Sequence, residues 1–463
     1  MKNIISMAIL SIAMMLCATT MLSAKGKAVE VASVKELAAV ISKSNQAVTM
    51  KPGVYKMSDY INSSVINQAP LDGVNRKAML LFSGDNNTFD FTDVTIEIDT
   101  KLLGAFKVSV NEIYVTGSNN YIKGLTIKDI GNNPPPGKGA RSFVVSGTNC
   151  KIDGVTLHMN GSSPYGYGDL LGKGKRSVVR LNKHSGMLIE GLADTILNCS
   201  IYSKSFGHLF FIQGGRDVYF ENCYAEAVIR STDEMLAEKK GPAFDAGFVG
   251  GYGNHEGNNK ILPGYAKSLS ECGFRNYGSG GVDKHATGAM TFVNCRAKNA
   301  RIGFALTRMQ GDIMVENCDA QGCEVGYSLA GATVKSSRGD AEVGPLFNIN
   351  KNEVSSVLEL EVMPAVSNYN IHSLGTVAGE GHTVTLTKFE GKTRSKELPI
   401  LIGSGRPAAN NGYSPFGDAA ASGVTLTNTS GMPVALSALS KNCTVTSSDA
   451  EVTDNGTGNK VTK

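Results

Sequence analysis

The sequence contains no tryptophan and has few runs with the spacing of long amphipathic helices. It also lacks a glycine-rich loop between a strand and a helix, which excludes a common type of nucleotide site. Its formal charge is only +4, so no surface for nucleic acid is expected. Cysteine is sparse, with 9 residues along the chain, which argues against a disulfide framework. Since 463 residues exceed the usual size of one compact core, the sequence favours an elongated repeat array.

Residues 1–24 have the pattern of a secretory signal. Lys2 supplies the positive start, residues 4–16 form an apolar run, and Ala24 ends a stretch of small residues suited to cleavage. The run is too short for a membrane span. We therefore expect an exported chain, periplasmic or secreted, without a span.

One sequence pattern recurs in the middle of the chain: a β-branched or aromatic strand, then Asn-Cys, then a polar turn. The copies end at Cys199, Cys223, Cys295 and Cys318. The first and last intervals are 24 and 23 residues, and the middle interval of 72 divides into three units of 24. Earlier copies carry Gly124 and Gly154 where we align the cysteine. A period in this range with short strands indicates a solenoid.

The repeat predicts an all-β fold, a single-stranded right-handed parallel β-helix, with the cysteines stacked inward and the asparagines in turns. Residues 34–42 have helical spacing, and residues 47–55 form a strand that ends in Pro-Gly-Val-Tyr. A cap helix followed by such a strand resembles the pectate-lyase-like superfamily. We expect the β-helix over residues 25–350, and residues 351–463 as further coils or as an extension of the same domain. The nature of residues 351–412 is left open.

Three insertions project from the predicted coils, at residues 131–139, 161–175 and 231–263, the last with a helical piece at 232–240. Insertions of this kind build the walls of a cleft, so a site is expected between residues 135 and 310.

A basic column is predicted on one outer face of the same coils. Its members are Arg180, Lys183, His184, Lys204, His208, Arg230, Arg275, Arg301 and Arg308. Like charges on neighbouring strands repel each other, so either acidic residues or an anionic ligand must neutralise them. Local acidic candidates are Glu226, Asp233, Glu234, Glu238 and Asp245.

The leading hypothesis is β-elimination on a uronic acid, which requires a neutralised carboxylate and a base for the C5 proton. We assign His208 as the base, with His184 or Tyr265 as substitutes, and Arg230 with Arg308 as the carboxylate clamp. Lys204 would bind sulfate or uronate. The remaining proposed substrate-binding residues are Arg180, Lys183, Gln213, Arg275, Arg301 and Tyr265. Loss of a glycosidic oxygen at C4 would make the protein a polysaccharide lyase, and loss of a hydroxyl would make it a dehydratase.

Residues 204–208, 230–238 and 241–245 resemble β-helix proteins of marine polysaccharide-degrading bacteria, and the resemblance covers roughly residues 140–350. That group includes an oligosaccharide dehydratase acting on uronate ends of ulvan, which implies elimination and an anionic, sulfated carbohydrate as partner. The Asp-rich calcium motifs of pectate lyases are missing. No cofactor is expected, while a requirement for calcium and the oligomeric state stay open.

Two alternatives stay open beside elimination. A glycoside hydrolase would use paired carboxylates, for which Asp233, Glu234, Glu238 and Asp245 are the candidates, although their helical spacing favours a solvated face. A non-catalytic carbohydrate-binding solenoid would have a flat outer face over residues 180–310. His255 and Glu256 have metal-binding side chains, but their spacing is not diagnostic of a metal site.

Overall fold

The computed structural model describes residues 27–133, 139–162, 182–251, 253–281, 284–350, 354–391, 396–405 and 417–463. The predicted signal at residues 1–24 lies outside these ranges. The chain forms the predicted parallel β-helix, in which two parallel sheets enclose one continuous apolar core. No helix in the described ranges is both long and apolar enough to cross a bilayer.

The larger sheet carries either one strand or two short strands from each coil. Among the described residues its strands are Lys27–Val31, Gln46–Met50, Gly53–Lys56, Thr88–Asp99, Tyr121–Ile130, Lys151–Asp153, Thr156–Met159, Thr195–Leu197, Ser200–Ser203, Val218–Glu221, Tyr224–Glu226, Met290–Val293, Arg296–Lys298, Ile313–Glu316, Asp319–Gln321, Thr333–Gly339, Val357–Val362, Thr383–Lys388, Thr425–Thr429, Thr444–Ser447 and Lys460–Thr462.

The second sheet carries one strand from each coil. Its described strands are Arg76–Phe82, Ser109–Val115, Ala140–Val145, His184–Ile189, Phe210–Gln213, Cys272–Tyr277, Ile302–Thr307, Tyr327–Ala330, Phe347–Ile349, Gly375–Val377, Ile400–Ile402, Val434–Leu436 and Val452–Asp454. Both sheets contain strands from residues 357–462, so the region left open at 351–412 contributes coils.

The helices are short. They span Val34–Ala38, Ser63–Gln68, Lys101–Ala105, Thr232–Leu236 and Pro242–Asp245, with a 3₁₀ turn at Met57–Asp59. In the first of them, Val34 and Leu37 are buried in the main core. This helix is shorter than the predicted run of residues 34–42, and its capping role stays a prediction.

The cysteine column is structural, as predicted. Cys199, Cys223, Cys295 and Cys318 are at most 1% exposed, and none forms a disulfide. The asparagines before them adopt positive φ angles of 52–54°, which asparagine tolerates better than most residues because its side chain bonds locally. Gly154 has a φ of 69° and occupies the asparagine position. The predicted alignment of the earlier copies, which places this glycine at the cysteine position, is therefore wrong by one residue. Glycine suits the asparagine position since it carries no Cβ.

The prediction of three coils between Cys223 and Cys295 is wrong. Strand Val218–Glu221 pairs directly with Met290–Val293, so the two cysteines lie in adjacent coils. The intervening chain completes one coil and adds the long insertion, whose length made the interval a multiple of 24 by coincidence. Within the insertion, helix Thr232–Leu236 is shorter than the predicted piece at 232–240.

A row of polar side chains ties neighbouring coils together at one turn. The side-chain oxygens of Asn87 and Asn120 each accept a backbone N–H from a neighbouring coil, at 2.7 and 2.9 Å. Asp194 does the same for the Cys150 N–H at 2.8 Å, but its second oxygen has no hydrogen-bond partner among the described residues. Burial of this carboxyl raises its pKa from 3.8 to about 8.

Replacement of Asp194 by asparagine is therefore expected to change how stability depends on pH. Native Asp194 holds a proton between about pH 4 and pH 8 that the unfolded chain releases, so the free energy of unfolding falls as pH rises through this window. The amide of the variant would not titrate, and it is expected to stabilise the protein by about 1–3 kcal/mol near pH 8 and by little near pH 5. Urea unfolding at both pH values tests this, and parallel pH profiles for the two proteins would contradict it.

Candidate functional site

The outer face of the second sheet carries a polar network centred on strand Cys272–Tyr277. Phe274 of this strand is buried in the core, whereas Arg275 and Tyr277 are half-buried on the outer side. His208, which comes just before the neighbouring strand Phe210–Gln213, lies under Tyr277. Parallel stacking of successive coils thus brings residues about 70 positions apart into contact.

His208 forms a hydrogen bond with the phenol of Tyr277, with 2.6 Å between Nε2 and Oη. Its Nδ1 accepts the backbone N–H of Cys272 at 3.3 Å, so a neutral His208 carries its proton on Nε2. Burial lowers the pKa of His208 well below its usual range, and Lys183, Arg275 and Arg301 lower it further against the opposing effect of Glu271. At neutral pH His208 is therefore uncharged and donates from Nε2.

Glu271 is the anionic centre of this network. Its carboxylate is fully buried and lies 3.1 Å from His208 Nε2 and 3.7 Å from an Arg301 nitrogen. Lys183 also forms an ion pair with it. These contacts satisfy the charge of Glu271 and hold the imidazole of His208 in place.

Tyr277 and Arg275 lie side by side on the outer side of the sheet, next to Glu271 and His208. The Arg275 guanidinium carbon lies 4.5 Å from the centroid of the Tyr277 ring. Burial raises the pKa of Tyr277 to about 12, although Arg275 opposes the shift, so the phenol is protonated at neutral pH. Arg275 bonds only the Cys272 sulfur, at 3.8 Å, and its buried Nε has no partner within the described ranges.

Arg141, on strand Ala140–Val145, is a second arginine of this kind. It is half-buried, and its Nη1 has no hydrogen-bond partner in the described part of the chain. Burial and then the charge of Arg76 lower its pKa to about 10. Buried guanidinium N–H groups without partners are costly, so Arg141 and Arg275 mark this face as one that suits an anion.

Several residues predicted from the sequence meet in this network. Lys183, His208, Arg275 and Arg301 lie in it, and Gln213 pairs in register with Tyr277. Arg180 lies outside the described residues. Lys204 is exposed to solvent.

Other predicted residues have different partners. Arg230 forms ion pairs with Glu234 and Glu238 at 3.2 and 3.5 Å, and Arg308 forms one with Asp312 at 2.8 Å. These ion pairs are made with acids outside the His208 network, and the role of the two arginines as a carboxylate clamp stays a prediction.

Tyr265 belongs to the insertion rather than to the strand face. Its phenol lies 3.0 Å from Nδ1 of His255 and 2.9 Å from Nε2 of His372. Burial lowers the pKa of His372, and the charge of His255 lowers it further.

His184 is fully buried between Glu112 and Asp129. Burial alone would lower its pKa, but the two carboxylates outweigh burial and raise it to about 9. An imidazole that is protonated at neutral pH does not suit the predicted role of an alternative base. Among the described residues, these three side chains instead form a group that could hold a metal ion.

The carboxylates considered for hydrolysis lie on or next to the short helices of the insertion. Glu234 and Glu238 are neutralised by Arg230, and Asp233 accepts the Gly264 N–H at 3.1 Å. This agrees with the expected solvated face and leaves them away from the strand network.

Sequence reasoning missed Tyr277, Glu271 and Arg141. Tyr277 follows Arg275 by two residues, and alternate residues of a strand share a face, so the predicted position of Arg275 could have identified it. The signal for Glu271 and Arg141 is weaker, because only the register of distant coils brings them to this face.

Comparisons with known proteins find only distant likenesses to solved structures. Neither a family model nor a curated protein sequence matches the chain. Among solved structures, the chain is similar to a PL6 alginate lyase in complex with a trisaccharide, with 10% identity, a TM-score of 0.44, and coverage of 92% of this chain and 86% of that one. It is also similar to a tailspike protein of E. coli bacteriophage HK620, with 10% identity, a TM-score of 0.45, and coverage of 91% and 73%. An endo-xylogalacturonan hydrolase from Aspergillus tubingensis matches at 10% identity and a TM-score of 0.30, over 94% of this chain and 93% of that one. Such distant likenesses carry no information about substrate or reaction.

Proposed function

We propose that the outer face of the second sheet binds an anionic carbohydrate and catalyses β-elimination of a uronate. The observation that carries the proposal is the pair Arg275 and Tyr277: an arginine without an acidic partner among the described residues lies 4.5 Å from a phenol bonded to a neutral histidine. Arg275 would bind the uronate carboxylate and thereby make the C5 proton more acidic.

In this proposal Tyr277 is the proton donor. A solvent water takes the C5 proton, the electron pair of that C–H bond forms the C4=C5 double bond, and the C4–O bond breaks. The leaving oxygen takes the phenolic proton of Tyr277, and solvent returns a proton to the phenolate after the product leaves. The resulting phenolate would be stabilised by the Nε2–H of His208 and by the Arg275 guanidinium. His208 is only 3% exposed, so the geometry favours it as a positioning residue and not as the base assigned from the sequence.

The two arginines also set the size of the ligand. Two strands of the second sheet lie between Arg141 and Arg275, and Arg141 lies three residues along its strand from Val144, the position in register with Arg275. Their backbones are therefore at least about 14 Å apart at about 4.8 Å per rung. One sugar cannot span this distance, so we propose an oligosaccharide or polysaccharide with more than one acidic group. Ulvan fragments, which carry uronate and sulfate, are the substrate class suggested by the sequence resemblance, as a lyase or as a terminal-uronate dehydratase.

The test is to incubate the protein with uronate oligosaccharides and to follow the ultraviolet absorbance of the 4,5-unsaturated product together with the reducing ends. Elimination gives rising absorbance, with new reducing ends for a lyase and without them for a dehydratase. New reducing ends without absorbance would show hydrolysis and overturn the proposal, and so would binding without any product.

A further inference from the structure

Three metal-binding side chains meet on the described coils outside the proposed catalytic network. Glu112 lies on strand Ser109–Val115, Asp129 near the end of Tyr121–Ile130, and His184 at the start of His184–Ile189. Donor atoms of the three lie within 4.8 Å of one another. The distances are 3.2 Å from His184 Nε2 to Glu112 and 3.4 Å from His184 Nδ1 to Asp129.

The cluster is buried and its polar atoms are not satisfied. Glu112 and His184 are fully buried, and the Asp129 side chain is 1% exposed. Both carboxylate oxygens of Glu112, one of Asp129 and Nδ1 of His184 have no hydrogen-bond partner among the residues that the structure describes. Two carboxylates face one imidazole, so a negative charge remains even when the imidazole is protonated. An uncompensated charge of this kind is costly in a buried site.

We propose that Glu112, Asp129 and His184 bind one divalent transition-metal ion. Imidazole together with carboxylates suits Zn²⁺ or Mn²⁺, whereas Ca²⁺ takes oxygen ligands only. The ion would displace the proton of the imidazole and balance both carboxylates. The hydroxyl of Ser142, 3.0 Å from His184 Nε2, offers a further oxygen.

The position of the cluster indicates what the ion would do. Asp129 comes just before the predicted insertion at residues 131–139. Its carboxylate accepts the N–H groups of Asn160 and Gly161 at 2.7 and 2.8 Å, where the second predicted insertion begins. Residues 134–138 and 163–175 of these insertions lie outside the described residues. His184 comes where the chain rejoins the sheet. A Cβ at position 161 would lie only 2.2 Å from His184 Nδ1, so glycine is required there. The ion would therefore hold together the chain segments that border the two insertions. This role does not depend on which reaction the protein catalyses.

The experiment uses the whole purified chain. The protein is stripped with EDTA, incubated with Mn²⁺ or Zn²⁺, desalted and analysed for metal. Mn²⁺ is the decisive probe because the eight buried thiols, which could take up zinc, are poor ligands for it. We expect about one equivalent of metal per chain and a melting temperature that rises with the metal and falls with EDTA.

The matched variants are Glu112→Gln and Asp129→Asn, with Glu221→Gln, a half-exposed acid of a neighbouring coil, as the control. The two cluster variants should bind the metal at least about tenfold more weakly, and the control should bind it like the wild type. Less than about 0.1 equivalent of either metal on the wild-type chain would overturn the proposal, as would undiminished Mn²⁺ binding by both cluster variants. If a variant does not fold, the metal content of the wild-type protein and the change in its melting temperature with metal test the proposal.

Discussion

Replacement of Tyr277 by phenylalanine is expected to lower kcat by about 10²- to 10⁴-fold, the usual contribution of a positioned proton donor. KM should change little, because Arg275 would still bind the carboxylate and the aromatic ring would still pack against it. The reason is the geometry of the pair: only the hydroxyl group of Tyr277, which His208 contacts, is lost, and the aromatic ring is kept. Initial rates measured by product absorbance over a range of substrate concentrations separate the two constants.

The control is Tyr202→Phe, which removes a phenol from the exposed surface of the larger sheet. It should keep the wild-type rate. Arg275→Lys complements the test, since loss of the planar guanidinium should raise KM as well as lower kcat. If the Tyr277 variant keeps the wild-type kcat, Tyr277 is not the proton donor. Whether the protein catalyses elimination at all is decided separately by the product assay.

Replacement of Glu190 by alanine is expected to destabilise the protein by about 3–5 kcal/mol, because it breaks a buried ion pair. Arg76 donates to both carboxylate oxygens of Glu190, at 2.8 and 2.9 Å, and each side chain is 4% exposed. Burial alone would lower the pKa of Arg76, but Glu190 holds it above its ordinary value. Without Glu190, the Arg76 guanidinium would keep, among the described residues, its contact with Asp72 and a weaker one with Tyr114.

The exposed pair of Lys51 and Glu30 is the matched control. Its atoms approach to 3.1 Å, but the two side chains are 55% and 65% exposed, so Glu30→Ala should change stability by less than about 1 kcal/mol. Urea unfolding of both variants gives the comparison. Equal losses would contradict the role assigned to burial, whereas Arg76→Met with Glu190→Leu should recover much of the lost stability.

The Asn-Cys repeat was sufficient to predict the β-helix because it combines two physical requirements. Cys199 and Cys223 fill a small inward position, while Asn198 and Asn222 adopt positive φ angles at the adjoining turn. The interval up to Cys295 misled the counting, because periodicity cannot distinguish extra coils from an insertion of similar length.

The candidate site was predicted only in part. Lys183, His208, Arg275 and Arg301 do meet, since stacking brings similar strand positions together. Arg230 and Arg308 form ion pairs with Glu234 and Asp312, each of which lies four residues further along the sequence. Such a neighbour is visible in the sequence, but whether a side chain turns toward it or toward the face is decided by three-dimensional packing.

The direct pairing of Val218–Glu221 with Met290–Val293 has a consequence for how such proteins can diverge. The long insertion between these two strands does not alter the register of the hydrogen-bonded strands on either side. Lengthening a surface loop adds little closure entropy. Natural variation could therefore replace this insertion or change its length while the β-helix keeps its structure. Such changes would alter which polymers can bind beside it.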